Sequence, residues 1–592
     1  MNVFKNTGLM LTLALIGCWV LFAINFIVRT SHVSIDGVRY FTVFDDGMIG
    51  MRYAKNLVEH HALVWNVGDR VEGFTDPLWT LVMAAAIWMF GTHYAPLCVQ
   101  IFGGIISAAV FGVYYRNSVR NKSSLLALMT GLLLLMFSYV LSYWGLSGME
   151  ACAICLAFAV TVGAQYSYEK GNAQNPLILL SCLIAIAYFL RPDGWLVIVP
   201  FFAACWVDAV RRKEYRKSVL SIAIPCVMVA SLQAARVAYY GEWVPNTYIL
   251  KVQGYSLALR LSNGMAYVKP FLRENLGLLG LIALAGLSKR RVALLNIAGA
   301  CVAIAYQVYV GGDPWPFWRQ LLPVYVSAAF AVLILFDSLD AVAKSGEEVK
   351  RVSFKDRAVL AVLVIAPAAF GEYEVHHSAE FWLREILQIA YLVGAFVCVG
   401  YLYYASRSSM VAAERKAQWK TAAYALAVCV CAYAVVLGND RFLSDFRDKP
   451  FLFSSEAKMI DKAVLAMKLF GAGKTHHVVL AGAYPYYVEG KMIDSLGKSD
   501  KVIARLPVDE AVSWDGMRGV PGHAKYDFRE SILMRKPDVI PDRVAWGRQD
   551  VSPEMVDSYV YIRSDNVSLC VKKELIVGLK SLVVGNCPSR LP

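Results

Sequence analysis

Uncharged apolar runs recur through the first three quarters of this sequence, and they constrain its fold more than any other feature. They lie at about 8–28, 94–115, 124–141, 151–167, 176–190, 194–208, 218–235, 275–287, 292–310, 321–336, 358–370, 386–405 and 421–438. A helix needs ~20 apolar residues to cross a bilayer core of ~30 Å. Lipid offers no partner to backbone polar groups, so helices or closed barrels are the spanning solutions. The expectation is an α-helical polytopic membrane protein of about 13 transmembrane helices, in contact with the lipid bilayer over most of its length. Several runs are short, which leaves room for a re-entrant piece. Composition agrees: 58% of residues are hydrophobic and 17% charged, against ~25% charged in a soluble domain. A soluble enzyme, a disordered chain and a disulfide scaffold are excluded.

The net charge of +13 would suggest nucleic acid in a soluble protein. Here the basic residues sit in alternate loops, at Arg116–Lys122, Arg211–Lys217, Ser288–Arg291, Lys344–Arg357 and Arg407–Lys420. Short cytoplasmic loops collect Lys and Arg, so no nucleic-acid partner is implied. These loops face the cytoplasm, and the residues after 438 lie outside. A weaker run at 77–91 begins with Pro77 and carries Trp79 and Trp88. Counting it as a span would break the alternation, so a helix at or dipping into the outer surface is expected. The run at 8–28 reads as an uncleaved first helix rather than a signal peptide, being long for such a peptide and lacking an A-x-A site.

Two domains follow: a membrane module at 1–438, with a first outer loop at 29–93, and an extracytoplasmic domain at 439–592. The second alternates helical spacing (Ser454–Leu469) with strand signals (Val478–Ala481 and Pro537–Ile540), which predicts a small α/β fold. Of 13 Cys, only Cys570 and Cys587 fall there. Two Cys in an oxidising compartment suggest a disulfide, with two buried thiols as the alternative.

The first outer loop holds the densest chemistry. Asp45-Asp46 precedes residues at helical spacing, Met48, Ile49, Arg52, Tyr53, Asn56 and Leu57. An amphipathic surface helix is predicted, with apolar positions toward the bilayer and with Arg52 and Lys55 toward water or a phosphate. The acidic pair lies at the positive end of the helix dipole. One Asp would suffice as a cap; two adjacent acids beside two cations exceed that need.

The run Asp45-Asp46, Arg52-Tyr53-Ala54, Asn56-Leu57, Leu63-Val64-Trp65-Asn66, Arg70-Val71-Glu72-Gly73, Thr75 and Pro77-Leu78-Trp79 resembles the first outer loop of GT-C glycosyltransferases. Within these it is most like the arabinofuranosyltransferases that use decaprenyl-phosphoryl arabinofuranose. Glu72-Gly73 stands where the cell-wall arabinan enzymes have Gln-Thr. The resemblance implies a polyprenyl-phosphate sugar donor, Asp45 and Asp46 as catalytic residues, and a site on the extracytoplasmic side of a bacterial inner membrane.

Other outer loops carry further candidates for donor phosphate or sugar. Glu150 begins a span after Trp144-Gly-Leu-Ser-Gly-Met; it is either a functional acid or a helix cap. Arg191, in Leu-Arg-Pro-Asp-Gly, either contacts phosphate or pairs with Asp193 in a turn. Lys251 follows Tyr240-Gly and Pro245-Asn-Thr-Tyr. Trp315 and Arg319 lie in Gly-Gly-Asp-Pro-Trp-Pro-Phe-Trp-Arg, a backbone that cannot face lipid; a sugar platform and an interfacial aromatic belt are both open. Glu72 completes the set. His376, His377 and four Glu within 371–385 are candidates for a divalent metal, at spacing that matches no strong motif. No P-loop, nucleophile elbow or zincin helix is present.

The expected reaction is an inverting displacement. An Asp takes the proton of an acceptor hydroxyl, and cations offset charge on the leaving phosphate. The acceptor would be an envelope glycan or an exported protein such as pilin. A transporter of a lipid-linked or small polar solute is the alternative, though its mid-span charges and inverted repeats are not seen. A mere anchor for the outer domain would not need Asp45-Asp46.

Overall fold

The computed structural model describes residues 2–345, 445, 447–542 and 553–588. The expected spans at 358–370, 386–405 and 421–438, the basic residues at 346–357 and 407–420, and the His/Glu group at 371–385 lie outside the described residues.

The membrane part runs α1 (Asn2–Thr30), α2 (Asp45–His60), α3 (Pro77–Arg120), α4 (Leu125–Met136), α5 (Tyr139–Leu146), α6 (Ala151–Glu169) and α7 (Leu177–Leu190). It continues through α8 (Val199–Arg211), α9 (Tyr215–Tyr240), α10 (Asn246–Lys251), α11 (Leu257–Glu274), α12 (Leu276–Gly286), α13 (Arg291–Val310) and α14 (Leu322–Ser345). Among the described residues six helices are long and apolar enough to cross a membrane, or seven if the bent pair α4–α5 is one span. The runs at 176–190, 194–208 and 275–287 are helical but short. Pro192 follows α7, Pro200 opens α8, and Asn275 and Gly286 bound α12.

Burial sorts the helices. The span beginning at Arg319 is 94% buried within the protein, whereas that of α9 is 11% buried. An apolar helix with so little protein around it has lipid as its remaining solvent. Helix α3 spans 44 residues but breaks at Gly91 (φ 75°, ψ 164°). The break separates the weak run at 77–90 from the span that follows, and Trp88, Met89 and Phe90 are exposed. The region after Lys251, expected as loop, holds α11, capped by the Ser256 hydroxyl accepting from Leu259 N–H at 3.1 Å.

The C-terminal region begins with α15 (Phe453–Phe470) and carries a six-stranded sheet. Its strands are β3 (Lys474–Val478), β4 (Gly490–Asp494), β7 (Val539–Ile540), β8 (Tyr559–Ser564), β9 (Val567–Lys572) and β10 (Val583–Asn586), in the order β10-β8-β9-β7-β3-β4. Two short hairpins, β1–β2 (His32–Val33, Arg39–Tyr40) and β5–β6 (Ser513–Trp514, Met517–Arg518), lie apart from it. Strand β3 is parallel to β4 and β7, and the other pairings are antiparallel. The β8–β9 turn places Asp565 and Asn566 at positive φ (50° and 63°), as a tight two-residue hairpin requires. The strand expected at 478–481 is β3, four residues earlier. Gly482-Ala-Tyr-Pro, whose Gly-Pro composition reads as a turn closing that strand, starts α16 (Ala483–Tyr487). Cys570 and Cys587 are joined by a disulfide.

Two cores tie the halves together. Phe453, Ile460, Ala483 and Tyr486 belong to the helical core. Ile49 and Tyr53 of α2, with Trp65, Phe74 and Tyr240, share a core with sheet residues such as Val478 and Val571. The first outer loop is therefore enclosed between the helices and the sheet.

Candidate active site

Helix α2 is set by its first turn. Phe44 N–H donates to Ser147 O at 2.9 Å, and the Phe44 ring meets Trp144 and Trp315 at 4.9 and 5.2 Å. This anchors Asp45 and Asp46 at the helix start, where unpaired N–H groups and the dipole favour negative charge. Neither residue caps the helix; the cap position is Phe44.

Asp46 is held by three donors. Its Oδ2 accepts from Trp315 Nε1 at 3.0 Å and from Arg319 Nη2 at 2.8 Å, and its Oδ1 pairs with Lys498 Nζ. Arg319 is also paired through Nε to Asp313, with Nη2 to Asp313 Oδ1 at 3.1 Å, and its guanidinium lies 5.5 Å over the Trp144 ring. The loop before Arg319 is strained. Phe317 and Trp318 sit at φ 64° and 40°, a region bulky side chains rarely enter. Gly312 has φ 73°, and a Cβ there would meet the Tyr267 side chain at 2.5 Å. Lys498 sits on a turn built by Asp494, whose carboxylate accepts from the N–H groups of Leu496 (3.1 Å), Gly497 (3.1 Å) and Ser499 (2.7 Å). Asn246 fixes the same turn by donating to Gly497 O and Lys498 O at 2.9 and 3.0 Å.

Charge separates the two acids. Burial pushes Asp46 up, but Lys498, Arg319 and Lys251 outweigh it and hold its carboxyl well below the usual range. Burial pushes Asp45 up to about 6, against the pull of Lys498 and with the push of Asp46. Asp45 is 4% exposed, its Oδ1 lacks a hydrogen bond of normal geometry, and the Gly482 backbone beside it pulls its pKa down. Gly482 covers it so closely that a Cβ there would overlap Oδ1. Glu456 of α15 faces Asp45, and its Oε2 accepts from Ala483 N–H at 3.3 Å. Burial and the Asp45 charge push Glu456 well above the carboxylate range.

Around this centre, Lys251 ends α10. It feels the charges of Asp46 and Asp313, but burial outweighs them and lowers its pKa. Lys525 Nζ pins α10 by donating to Ile249 O (2.9 Å), Gln253 O (2.7 Å) and Ala504 O (2.9 Å). His523, which burial pushes down to about 3 and so keeps neutral, sits between Trp315 (5.6 Å) and Trp514 (4.9 Å). A second acidic group lies beside the first. Arg191 pairs with Asp193 at 2.9 and 3.0 Å and reaches Glu150 Oε1 at 3.4 Å. Glu150 makes no side-chain cap, and its Oε2 is buried without a partner. Burial and Glu150 push Asp76 well up. A small cavity of about 30 Å³ lies between Arg191 and Arg319, lined also by Asp193, Tyr306, Gln307 and Gln320.

Of the residues expected from sequence, the structure brings together Asp45, Asp46, Trp315, Arg319 and Lys251, with Glu150 and Arg191 adjoining. Three do not join them. Arg52 faces neither water nor phosphate. It is buried and donates to the carbonyls of Trp65 (2.7 Å), Pro485, Val488 (3.2 Å) and Gly490 (2.8 Å). Lys55 donates to Tyr486 O at 3.3 Å and lies 5.8 Å over that ring. Glu72 forms a two-point pair with Arg236, at 2.6 and 3.1 Å. For Arg52 and Lys55 the physical reason is shared: α2 lies under the C-terminal region, so its outer face meets protein rather than solvent; Glu72 lies on the loop after α2 and is drawn to Arg236 of α9.

Sequence reading missed Glu456, Lys498, Asp313 and His523 as site members. Glu456 had a signal, being a carboxylate on the apolar side of α15 beside Phe453, Ala457 and Ile460. Lys498 follows Asp494-x-x-Gly497, a turn signature. Among the described residues no group of three or more His, Cys, Asp or Glu could hold a metal ion.

No protein-family model matches the chain. It is 24% identical over 247 residues to a terminal beta-(1->2)-arabinofuranosyltransferase of Mycobacterium tuberculosis, covering 39% of this chain and 38% of that protein. It is 24% identical over 323 residues to a terminal beta-(1->2)-arabinofuranosyltransferase of Corynebacterium glutamicum, covering 48% and 46%. The chain thus matches less than half the length of these curated relatives. Among solved structures it is similar to ArnT from Cupriavidus metallidurans in the apo state, with TM-score 0.49, 13% identity, and 94% and 98% of the two chains covered. For ArnT bound to undecaprenyl phosphate the TM-score is 0.44 at 13% identity, covering 94% and 97%.

Proposed function

We propose that this chain is a membrane glycosyltransferase of the GT-C type that moves arabinofuranose from a polyprenyl-phosphate carrier to a hydroxyl of an envelope glycan or an exported protein. One observation carries the reading. Two adjacent acids open α2, and their surroundings divide them into a cation-clamped carboxylate, Asp46, and an unclamped one, Asp45. The resemblance of the 45–79 loop and the names of both curated relatives supply the sugar. The proposed setting is the bacterial inner membrane, with a membrane module at 1–438, and with the site and a domain at 439–592 on the extracytoplasmic side. Basic loops at 116–122, 211–217 and 288–291 support that orientation.

In the reaction, Asp45 accepts the proton of the acceptor hydroxyl. The acceptor oxygen bonds to the anomeric carbon as the bond from that carbon to the phosphate oxygen breaks, on the opposite face. Configuration inverts, and the lipid phosphate leaves with the bonding pair. Arg319, Lys251, Lys498 and Arg191 are the cations for that developing charge. Asp46 is too firmly held by cations to be the base; it orders Arg319 and Lys498. Trp315, backed by the neutral His523, is the aromatic ring for a sugar.

The test supplies polyprenyl-phosphoryl arabinofuranose to membranes containing the full chain and follows release of polyprenyl phosphate. Wild-type protein releases it, and Asp45→Asn lowers turnover by about 10²–10⁴, the range of general-base catalysis, while donor binding persists. Absence of release by the wild type, with pentose and hexose donors alike, overturns the transferase. Unchanged turnover in the Asp45/Asp46 double amide overturns the base.

A further inference from the structure

At the end of the helical bundle that carries the site, one cation lacks the partner its neighbours have. Arg191, Arg236, Arg319 and Arg518 each hold a carboxylate. Arg260 of α11 holds none: among the described residues its guanidinium makes no hydrogen bond or ion pair, and its Nε is buried and unmet. The group lies 5.1 Å over the ring of Tyr309, on α13. A ring face supports a cation without neutralising its charge, so the planar fork of donors stays available to an anion.

Its surroundings select an anionic lipid phosphate. Depth comes first. Helix α13 is long and apolar enough to cross a membrane, and its 20 residues rise ~30 Å, the thickness of a hydrocarbon core. With Arg290 and Arg291 at one headgroup layer, Tyr309 stands at the other. Below the guanidinium both helices show apolar faces: Leu294, Cys301, Ala305 and Tyr309 are exposed along α13, and Leu257, Leu261 and Met265 along α11. Position completes the case. Tyr309 is one helical turn from Tyr306, which lines the cavity between Arg191 and Arg319. Gly311 and Gly312 lead from α13 to Asp313, the partner of Arg319, and a Cβ on Gly311 would lie 3.6 Å from Arg260 Cα. Asn263 fixes α11 by donating Nδ2 to Arg518 O at 2.6 Å and accepting from Arg518 N–H at 3.0 Å.

We propose that Arg260, backed by Tyr309, is a docking site for an anionic lipid phosphate at the mouth of the site, where a headgroup is held before it moves one turn inward to Arg191 and Arg319. A carrier lipid as occupant rests on the reading of a polyprenyl-phosphate donor; an anionic phospholipid offers the same phosphate chemistry.

The test irradiates the full chain in phosphatidylcholine vesicles with a polyprenyl phosphate that bears a diazirine in its first isoprene unit, and maps labelled peptides by mass spectrometry. Wild type is labelled within 257–265 and 301–312. Arg260→Gln removes the charge at similar length, and labelling there falls about fivefold, the worth of one basic residue at a lipid surface. Arg260→Lys keeps a charge that binds phosphate, and labelling stays within about twofold of wild type. Labelling unmoved in Gln, or lost equally in Lys, overturns the proposal. Competitors identify the occupant. Displacement by unlabelled polyprenyl phosphate but not by phosphatidylglycerol supports the site with the carrier in it, and displacement by both supports it with phospholipid in it. Displacement by inorganic phosphate as readily as by either lipid overturns lipid docking. A wild type that transfers no sugar yet is labelled through Arg260 overturns the transferase reading alone. An active wild type whose labelling ignores Arg260 overturns the docking site alone.

Discussion

Asp45 and Asp46 share a peptide bond but not an affinity for the proton. Three donors keep Asp46 ionised, while burial raises Asp45 to about 6. A base must be deprotonated to act, so turnover should fall as pH drops through about 6 and level off above it. A profile flat from pH 5 to 8 would contradict this. The Glu72–Arg236 pair makes a different prediction. Both side chains are nearly buried, at 4% and 5% exposed. Removing one partner of such a pair costs about 3–5 kcal/mol. Glu72→Ala should therefore lower the thermal midpoint in detergent by several degrees, with wild-type donor affinity in the protein that stays folded. Loss of donor affinity at an unchanged midpoint would return Glu72 to the site. Sequence brought out the acids and Arg319 because charge beside apolar runs is costly and so conspicuous. It misplaced Arg52 and Glu72 because a cation's partners, whether phosphate, carboxylate or carbonyls, leave no trace in local spacing.

Helix α2 was legible as an amphipathic helix, but its cover was not. The same apolar spacing suits a bilayer and a protein core, and here the cover is the second core, with Val478 and Val571. Arg52 fixes that cover through the carbonyls of Pro485, Val488 and Gly490, and its own loop through that of Trp65. A lysine cannot reproduce the planar fork, and stranded buried carbonyls cost about 1–3 kcal/mol each. Arg52→Lys should therefore speed proteolysis within 447–490 in membranes by tenfold or more, whereas a digestion rate equal to wild type would show that the clamp is dispensable. Lys525 does the same for α10. Lys525→Met should raise the donor KM about tenfold, equivalent to ~1.4 kcal/mol, and leave kcat within about twofold, because Lys251 is displaced while Asp45 is not. An unchanged KM would separate α10 from donor binding.

For the whole molecule, loop charge predicts that reporter fusions at Lys213 read cytoplasmic and those at Ser499 extracytoplasmic. A cytoplasmic signal at Ser499 would invert the orientation and the side on which the site works. Non-reducing mass mapping should recover Cys570 and Cys587 on one cross-linked peptide; free alkylation of both would refute that pairing. Helical architecture and a C-terminal sheet were readable because apolar length and strand patterning are local. The docking of Glu456 and Lys498 onto residues 45 and 46 was not, because it joins positions more than 400 apart in the chain. The joining also sets an order in time. A ribosome delivers the N-terminus first, so the acidic pair emerges long before Glu456, Gly482 and Lys498 have been made. Until the last quarter of the chain arrives and docks, the nascent protein has an uncovered acid pair and an incomplete set of cations. Under the proposed transferase reading, a chain truncated before residue 456 should therefore be inert even where its helices insert correctly.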